Sequence, residues 1–151
     1  MTIIVDANLL LLWIVGLASP NCIRKHKRLQ AYTEEDYILL LNIISGARKI
    51  ILTPNTLTET SNLAGYIAEP ARTEIYCVLA ALIKAAETEE RFIESEAAAS
   101  PPEFIRLGLA DAALLHLATE SHTLLTADVD LYLAARHRGL NAENFNQYRN
   151  L

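Results

Sequence analysis

Cysteine is scarce in this sequence. Cys22 and Cys77 stand far apart with no CxxC spacing, which excludes a cysteine-based zinc site or a disulfide framework and points to a reducing cytoplasm. Glycine and proline, five of each, are scattered, so no linker, low-complexity tract or repeat divides the chain, and a single domain over residues 1–151 is expected. Positive charge is short as well. The 13 Lys and Arg against 18 Asp and Glu leave a net charge of −5, which excludes coating nucleic acid through global charge while leaving room for a local basic patch. The apolar run of residues 9–18 is too short to span a bilayer. It is preceded by Asp6 and by no Lys or Arg, so it lacks the positive start of a signal peptide and reads as a buried helix; no membrane association is expected.

What the sequence does have is a 52% hydrophobic content, arranged in two periodicities. The β-branched run at residues 2–5 ends abruptly at Asp6 and leads into a stretch, residues 8–16, that is apolar on all sides: a buried strand feeding a buried helix. Tyr37, Leu40, Leu41 and Ile44 recur at helical spacing within residues 34–45, with Gly46 as the stop. A strand at 49–53 follows, closed by Pro54. A helix at 55–67 is then expected, opened by Thr56 with Glu59 three residues on, and another at 71–84. Residues 87–96 read as a short exposed element or edge strand, and residues 100–102 as a turn. The remaining expectations are a helix at 107–120, a strand at 123–126, a helix at 129–138 capped by Gly139, and a last strand at 140–145. Strands alternating with helices imply a mostly parallel sheet covered on both faces, which gathers ligands at the carboxyl ends of its strands.

Acidic residues fall on that rim. Asp6 closes the first strand, Glu59 lies in the first turns of the helix after the second, and Asp128 follows the strand at 123–126. Asp111 shares a helical stripe with Leu114, Leu115 and Ala118, and Asp128 shares one with Leu131, Tyr132 and Ala135, so both carboxylates sit on apolar faces. Ionised carboxylates on apolar faces are costly, and several together repel one another, so they must take up protons or be neutralised by a cation. Oxygen ligands without His or Cys favour Mg²⁺ or Mn²⁺, the setting of phosphodiester hydrolysis. Asp111 and Asp128 read equally well as helix N-caps, and Thr56 with Glu59 as a capping box. Asp6, followed two residues later by Asn8 and then a wholly apolar helix, has little structural reason for its place.

Taken together, these segments resemble PIN domains, especially the single-domain VapC-like toxins of bacterial toxin–antitoxin pairs, over nearly the whole chain. IIVDANLLL is similar to the family's first motif, ILTPNTLTETSNL to the second, LGLADAALLHLA to the third and TLLTADVDLYLAA to the fourth. The resemblance implies a three-layer α/β/α PIN-like fold and a metal site of Asp6, Glu59, Asp111 and Asp128. Asn8 would orient Asp6, Thr126 would position the acids, and Asp130 would replace or assist Asp128. It implies an endoribonuclease using one or two Mg²⁺ or Mn²⁺ ions, with water activated by the cation attacking phosphorus in line to leave 5′-phosphate and 3′-hydroxyl ends. A small antitoxin partner and a homodimer are also implied by the toxin branch.

The dense basic run Arg24, Lys25, His26, Lys27 and Arg28 is read either as a place for RNA phosphates or as a solvated loop. His26, His116, His122 and His137 lack metal-ligand spacing and read as surface or packing residues. Two other readings compete. One is a PIN-like scaffold that binds RNA or protein without cleaving it, which the full set of four acids disfavours. The other is a phosphotransfer domain, which in one form needs a second Asp where Asn8 stands and in another a paired acid beside Asp6.

Overall fold

Residues 1–118 and 122–149 are described by the structure, a computed structural model. Strand β1 (Thr2–Val5) runs into helix α1 (Ala7–Ala18), the short α2 (Cys22–Lys25) and α3 (Glu34–Ser45), and then into β2 (Lys49–Leu52). Helices α4 (Pro54–Ala64) and α5 (Ala71–Ile83) lead to β3 (Thr88–Glu90). After the short α6 (Ser95–Ala99) and α7 (Phe104–Leu107) come α8 (Leu109–Leu117), β4 (His122–Thr126), α9 (Val129–His137), β5 (Ala142–Asn144) and α10 (Phe145–Arg149).

The five strands form one all-parallel sheet in the order β3-β2-β1-β4-β5. Side chains alternate across it. Ile3, Val5, Ile50 and Leu52 pack into one core with α1, α3, α4 and α5, whereas Ile4, Ile51 and Leu124 pack into the other with α8 and α9. The architecture is therefore the expected three-layer α/β/α fold, with the sheet parallel throughout. Among the described residues, no helix is long and apolar enough to cross a membrane.

From Leu9 to Gly16 helix α1 is apolar all round because that stretch is enclosed, between the sheet on one side and α3, α4 and α5 on the others. Leu9, Leu10, Leu11, Leu12, Ile14 and Val15 lose all their exposure. At about 1.5–3 kcal/mol for each fully buried aliphatic side chain, this one helix anchors the whole layer. Gly16 lets α3 approach: a Cβ there would lie 2.1 Å from the Tyr37 ring.

Several boundaries differ from those expected from sequence. Thr53 leaves the second strand and becomes the N-cap of α4, its Oγ1 accepting from the Thr56 N–H at 3.0 Å, with Pro54 at the first helical position. Thr56 is thus inside the helix, so the box expected between Thr56 and Glu59 does not form; α4 also stops at Ala64, before Gly65. The capping box in this chain joins Thr33 and Asp36 at the start of α3. The helix expected at 107–120 begins only at Leu109, because Gly108 at φ +80° breaks it from α7, a backbone state only glycine adopts without strain. Residues 119 and 120 of that expected helix lie outside the described residues. The exposed element is the edge strand β3, α6 and α7 lie on either side of the expected turn, and the last strand is cut to Ala142–Asn144 by α10.

The basic run spans the end of α2 and the turn after it. His26 is fully buried, its Nε2 facing the Ala64 carbonyl at 3.2 Å while Nδ1 accepts from the Arg28 N–H. The Arg28 guanidinium lies 4.4 Å over the Tyr66 ring and Arg24 lies 3.9 Å from Glu34, yet Arg24, Lys25, Lys27 and Arg28 are all exposed.

Candidate functional site

In a doubly wound sheet, the crevice that accepts ligands opens where the strand order reverses. Here that point lies between β1 and β4, whose parallel register sets Val5 beside Leu125 and therefore Asp6 beside Thr126. Asp6 is buried at this crevice. Its Oδ1 accepts from the Leu9 N–H at 3.0 Å, capping α1. Its Oδ2 accepts from the Thr126 hydroxyl and from the Ala127 N–H. Thr126 Oγ1 accepts in turn from the Asp128 N–H at 3.0 Å, and Asp128 Oδ1 caps α9 through the Leu131 N–H. A chain of hydrogen bonds thus stitches the first acid to the fourth across two strand ends.

The cap alternative holds for Asp128 and, unforeseen from sequence, for Asp6; it does not hold for Asp111 or Glu59. Asp111 lies in the first turn of α8, whose N-terminal flank is Gly108 without a side-chain cap. Neither Asp111 nor Glu59 forms a hydrogen bond or ion pair among the described residues. Asn8 is exposed and, among the described residues, makes no bond to Asp6: the orienting groups are Thr126, Leu9 and Ala127. Asp130 is exposed in the first turn of α9 and exerts no marked effect on the other acids, whereas the charge of Asp128 acts on both Asp6 and Asp111.

Electrostatics tie the four positions together. Burial raises the Asp6 carboxyl above its ordinary range against the three hydrogen bonds that favour its charge, and Asp128 raises it further. Asp111 is pushed up to about 7, first by burial and then by the charges of Asp128, Asp6 and Glu59. One half-buried carboxyl therefore feels all three others. Among the described residues no Lys, Arg or His pairs with any of these acids. As they stand, the described residues include no trio of acids, histidines or cysteines close enough together to hold a metal ion.

Sequence reasoning missed two neighbours. Tyr32, in the link before α3, has its phenol pushed up to about 12 by burial and next by the Asp6 charge. It is held between Phe145, at a ring separation of 6.5 Å, and the Arg149 guanidinium, 4.7 Å from its ring centre. Arg149 in turn bonds both oxygens of Asp36, each at 3.0 Å. Nothing in the local pattern marks Tyr32, because its position depends on α10, a helix that periodicity did not reveal. The second neighbour is a cleft of about 480 Å³ between α4 and α8, lined by Asn55, Glu59, Asn62 and Leu109 among others. Its amides lie on the same face of α4 as Glu59, spaced at helical intervals that could have been read.

The donor set fits a hard divalent cation: only carboxylate oxygens, in mutual electrostatic contact, without a compensating basic side chain. Asp6 retains a lone pair on Oδ1 beyond its three hydrogen bonds, and Glu59 and Asp111 make no hydrogen bond among the described residues. No protein-family model matches this chain, and no curated protein sequence does.

Proposed function

We propose that this chain is a Mg²⁺- or Mn²⁺-dependent endoribonuclease whose centre is formed by Asp6, Glu59, Asp111 and Asp128. The observation that carries the reading is Asp111, a half-buried carboxyl loaded by the charges of the three other acids with no cation among the described side chains to relieve it. A half-buried carboxyl facing three like charges at the switch point of a parallel sheet costs folding energy, a cost that a binding site explains and a solvated surface does not.

When bound, Mg²⁺ or Mn²⁺ supplies neutralising charge and activation of water for attack on a phosphodiester. The rest is the chain's own work. Asp6 is fixed by Thr126, Leu9 and Ala127, so it offers a rigid anchor, and Thr126 couples that anchor to Asp128. Asp111 and Glu59 form the adjustable side of the site. Asp111 is pushed up to about 7 in the absence of a cation, and a bound Mg²⁺ or Mn²⁺ would favour its ionised form.

The sequence resemblance adds the role of toxin in a toxin–antitoxin pair, with the antitoxin covering the acids and the toxin paired as a homodimer. A neighbouring short reading frame encoding a DNA-binding protein would support that role, and its absence would count against it. A second reading, an RNA- or protein-binding scaffold, draws on the use of Asp6 and Asp128 as caps. Incubating wild type and Asp6→Asn with mixed RNA in Mn²⁺, with EDTA as control, separates the two. Metal-dependent cleavage by wild type with 5′-phosphate ends, lost in the variant, is expected. Equal cleavage by both would remove the acids from the mechanism, and binding without cleavage by wild type would favour the scaffold.

A further inference from the structure

A groove of about 880 Å³, lined by none of the four acids, lies between α7 and the second half of α9. Its lining includes Glu103, Arg106, Leu133, Arg136 and His137. The one acid there is already occupied: Glu103 takes two bonds from the Arg138 guanidinium, at 2.5 and 2.8 Å. Arg106 and Arg136 are exposed and form no ion pair among the described residues. In a chain carrying a net charge of −5, two unpaired guanidinium groups facing one groove are a local reversal of sign.

Both walls lead back to the acids. Arg106 stands five residues before Asp111, across the Gly108 break. Arg136 stands eight residues beyond Asp128 on α9, about 12 Å along the helix at 1.5 Å per residue. A strand whose scissile phosphate reached the acid rim would span that distance with a few nucleotides. Arginine is the side chain best shaped for phosphate oxygens, and an acid-lined centre that repels RNA needs such a grip elsewhere.

We propose that this groove is a second RNA contact, in which Arg106 and Arg136 hold backbone phosphates of the strand being cut, a few nucleotides from the acids. The choice of RNA as occupant rests on the nuclease reading. In this proposal the groove, rather than the exposed charges of Arg24, Lys25, Lys27 and Arg28 about the buried His26, is the main phosphate contact.

The test measures binding and cleavage separately. Anisotropy of a labelled, unstructured single-stranded RNA in EDTA, over about 50 to 200 mM salt, is read for wild type, Arg106→Ala/Arg136→Ala and Lys25→Ala/Lys27→Ala. Each phosphate contact contributes about 0.7 to the log–log salt slope for single strands, so the arginine double variant is expected to bind more weakly with a slope shallower by about 1.4. The lysine double variant should match wild type. An unchanged slope in the arginine variant overturns the proposal. So does loss of binding to a glutamate-rich peptide with the RNA slope intact, which would mark the groove as a site for an acidic protein segment. Cleavage of the same RNA in Mn²⁺ reports on the nuclease reading alone: a shallower slope without wild-type cleavage keeps the groove as an RNA contact and sinks the nuclease, whereas cleavage with an unchanged slope sinks the groove.

Discussion

Replacing Asp111 by Asn should stabilise the metal-free protein at alkaline pH, an unusual outcome for a substitution at a site residue. Asp111 titrates at about 7 in the fold against 3.8 as its ordinary value. Because the folded value is the higher, the folded state holds a proton that the unfolded chain has given up between those values. The stability it contributes is full below about 3.8, declines as pH rises and is gone above about 7. A fully shielded carboxyl would lose roughly 4 kcal/mol across that window at 1.36 kcal/mol per pH unit. Asp111 is only half-buried, and solvent screening reduces this to about 2 kcal/mol. Asn carries no charge and gives up no bond, since Asp111 has none among the described residues.

Urea unfolding in EDTA should therefore find Asp111→Asn and wild type close at pH 4.5 and the variant about 2 kcal/mol more stable at pH 8. That corresponds to about 4–8 °C in Tm for a chain of this size. Adding Mn²⁺ at pH 8 should raise the Tm of wild type and much less that of the variant. Comparing wild type with variant at each pH cancels the titration of groups that do not interact with Asp111. If the variant were no more stable than wild type at pH 8 in EDTA, the four acids would not converge on Asp111 and the electrostatic argument would fail.

Two further predictions concern the hydrogen-bond chain. Thr126→Val keeps the shape of a buried side chain but removes one donor from Asp6 and the acceptor of the Asp128 N–H, so a loss of about 1–3 kcal/mol is expected by urea unfolding; a neutral result would show that the hydroxyl does not hold the acids. Asp128→Asn should retain the α9 cap and near-native stability while losing metal-dependent cleavage, whereas Asp128→Ala should lose both, with about 1 kcal/mol for the cap. Full cleavage by the Asn variant would reduce Asp128 to a structural role.

How much of this was legible in the sequence follows from the range of the interactions involved. The all-round apolar α1 and the β-branched β1 were readable, because their burial is written in consecutive residues. The limits of α3 were readable to the residue, since Gly46 and the Glu34 to Asp36 turn are local signals. Short helices such as α6, α7 and α10 were not, because segments of four or five residues draw their stability from the surfaces they touch rather than from periodicity. At the site, the placement of acids at strand ends was legible from strand and helix order alone. The hydrogen bonds of Asp6 were not, since Thr126 is 120 residues away and only the parallel pairing of β1 with β4 makes them neighbours. For the same reason Asn8, adjacent in sequence, was a natural but mistaken candidate for orienting Asp6.

Asp6 also explains why this crevice is the place where so much charge is tolerable. A buried carboxylate needs donors, and the ends of parallel strands provide them, since each strand passes into a helix whose first N–H groups lack partners. Asp6 takes one such N–H from Leu9 in α1, and it takes another backbone N–H from Ala127 just before α9. Those donors hold the first acid in place, but they serve Asp6 and not Asp111, which remains without a hydrogen bond among the described residues. The site therefore divides into one buried acid held in place by three hydrogen bonds and another that has none among the described residues. That asymmetry, rather than the number of acids, is the ground on which the proposed cation rests.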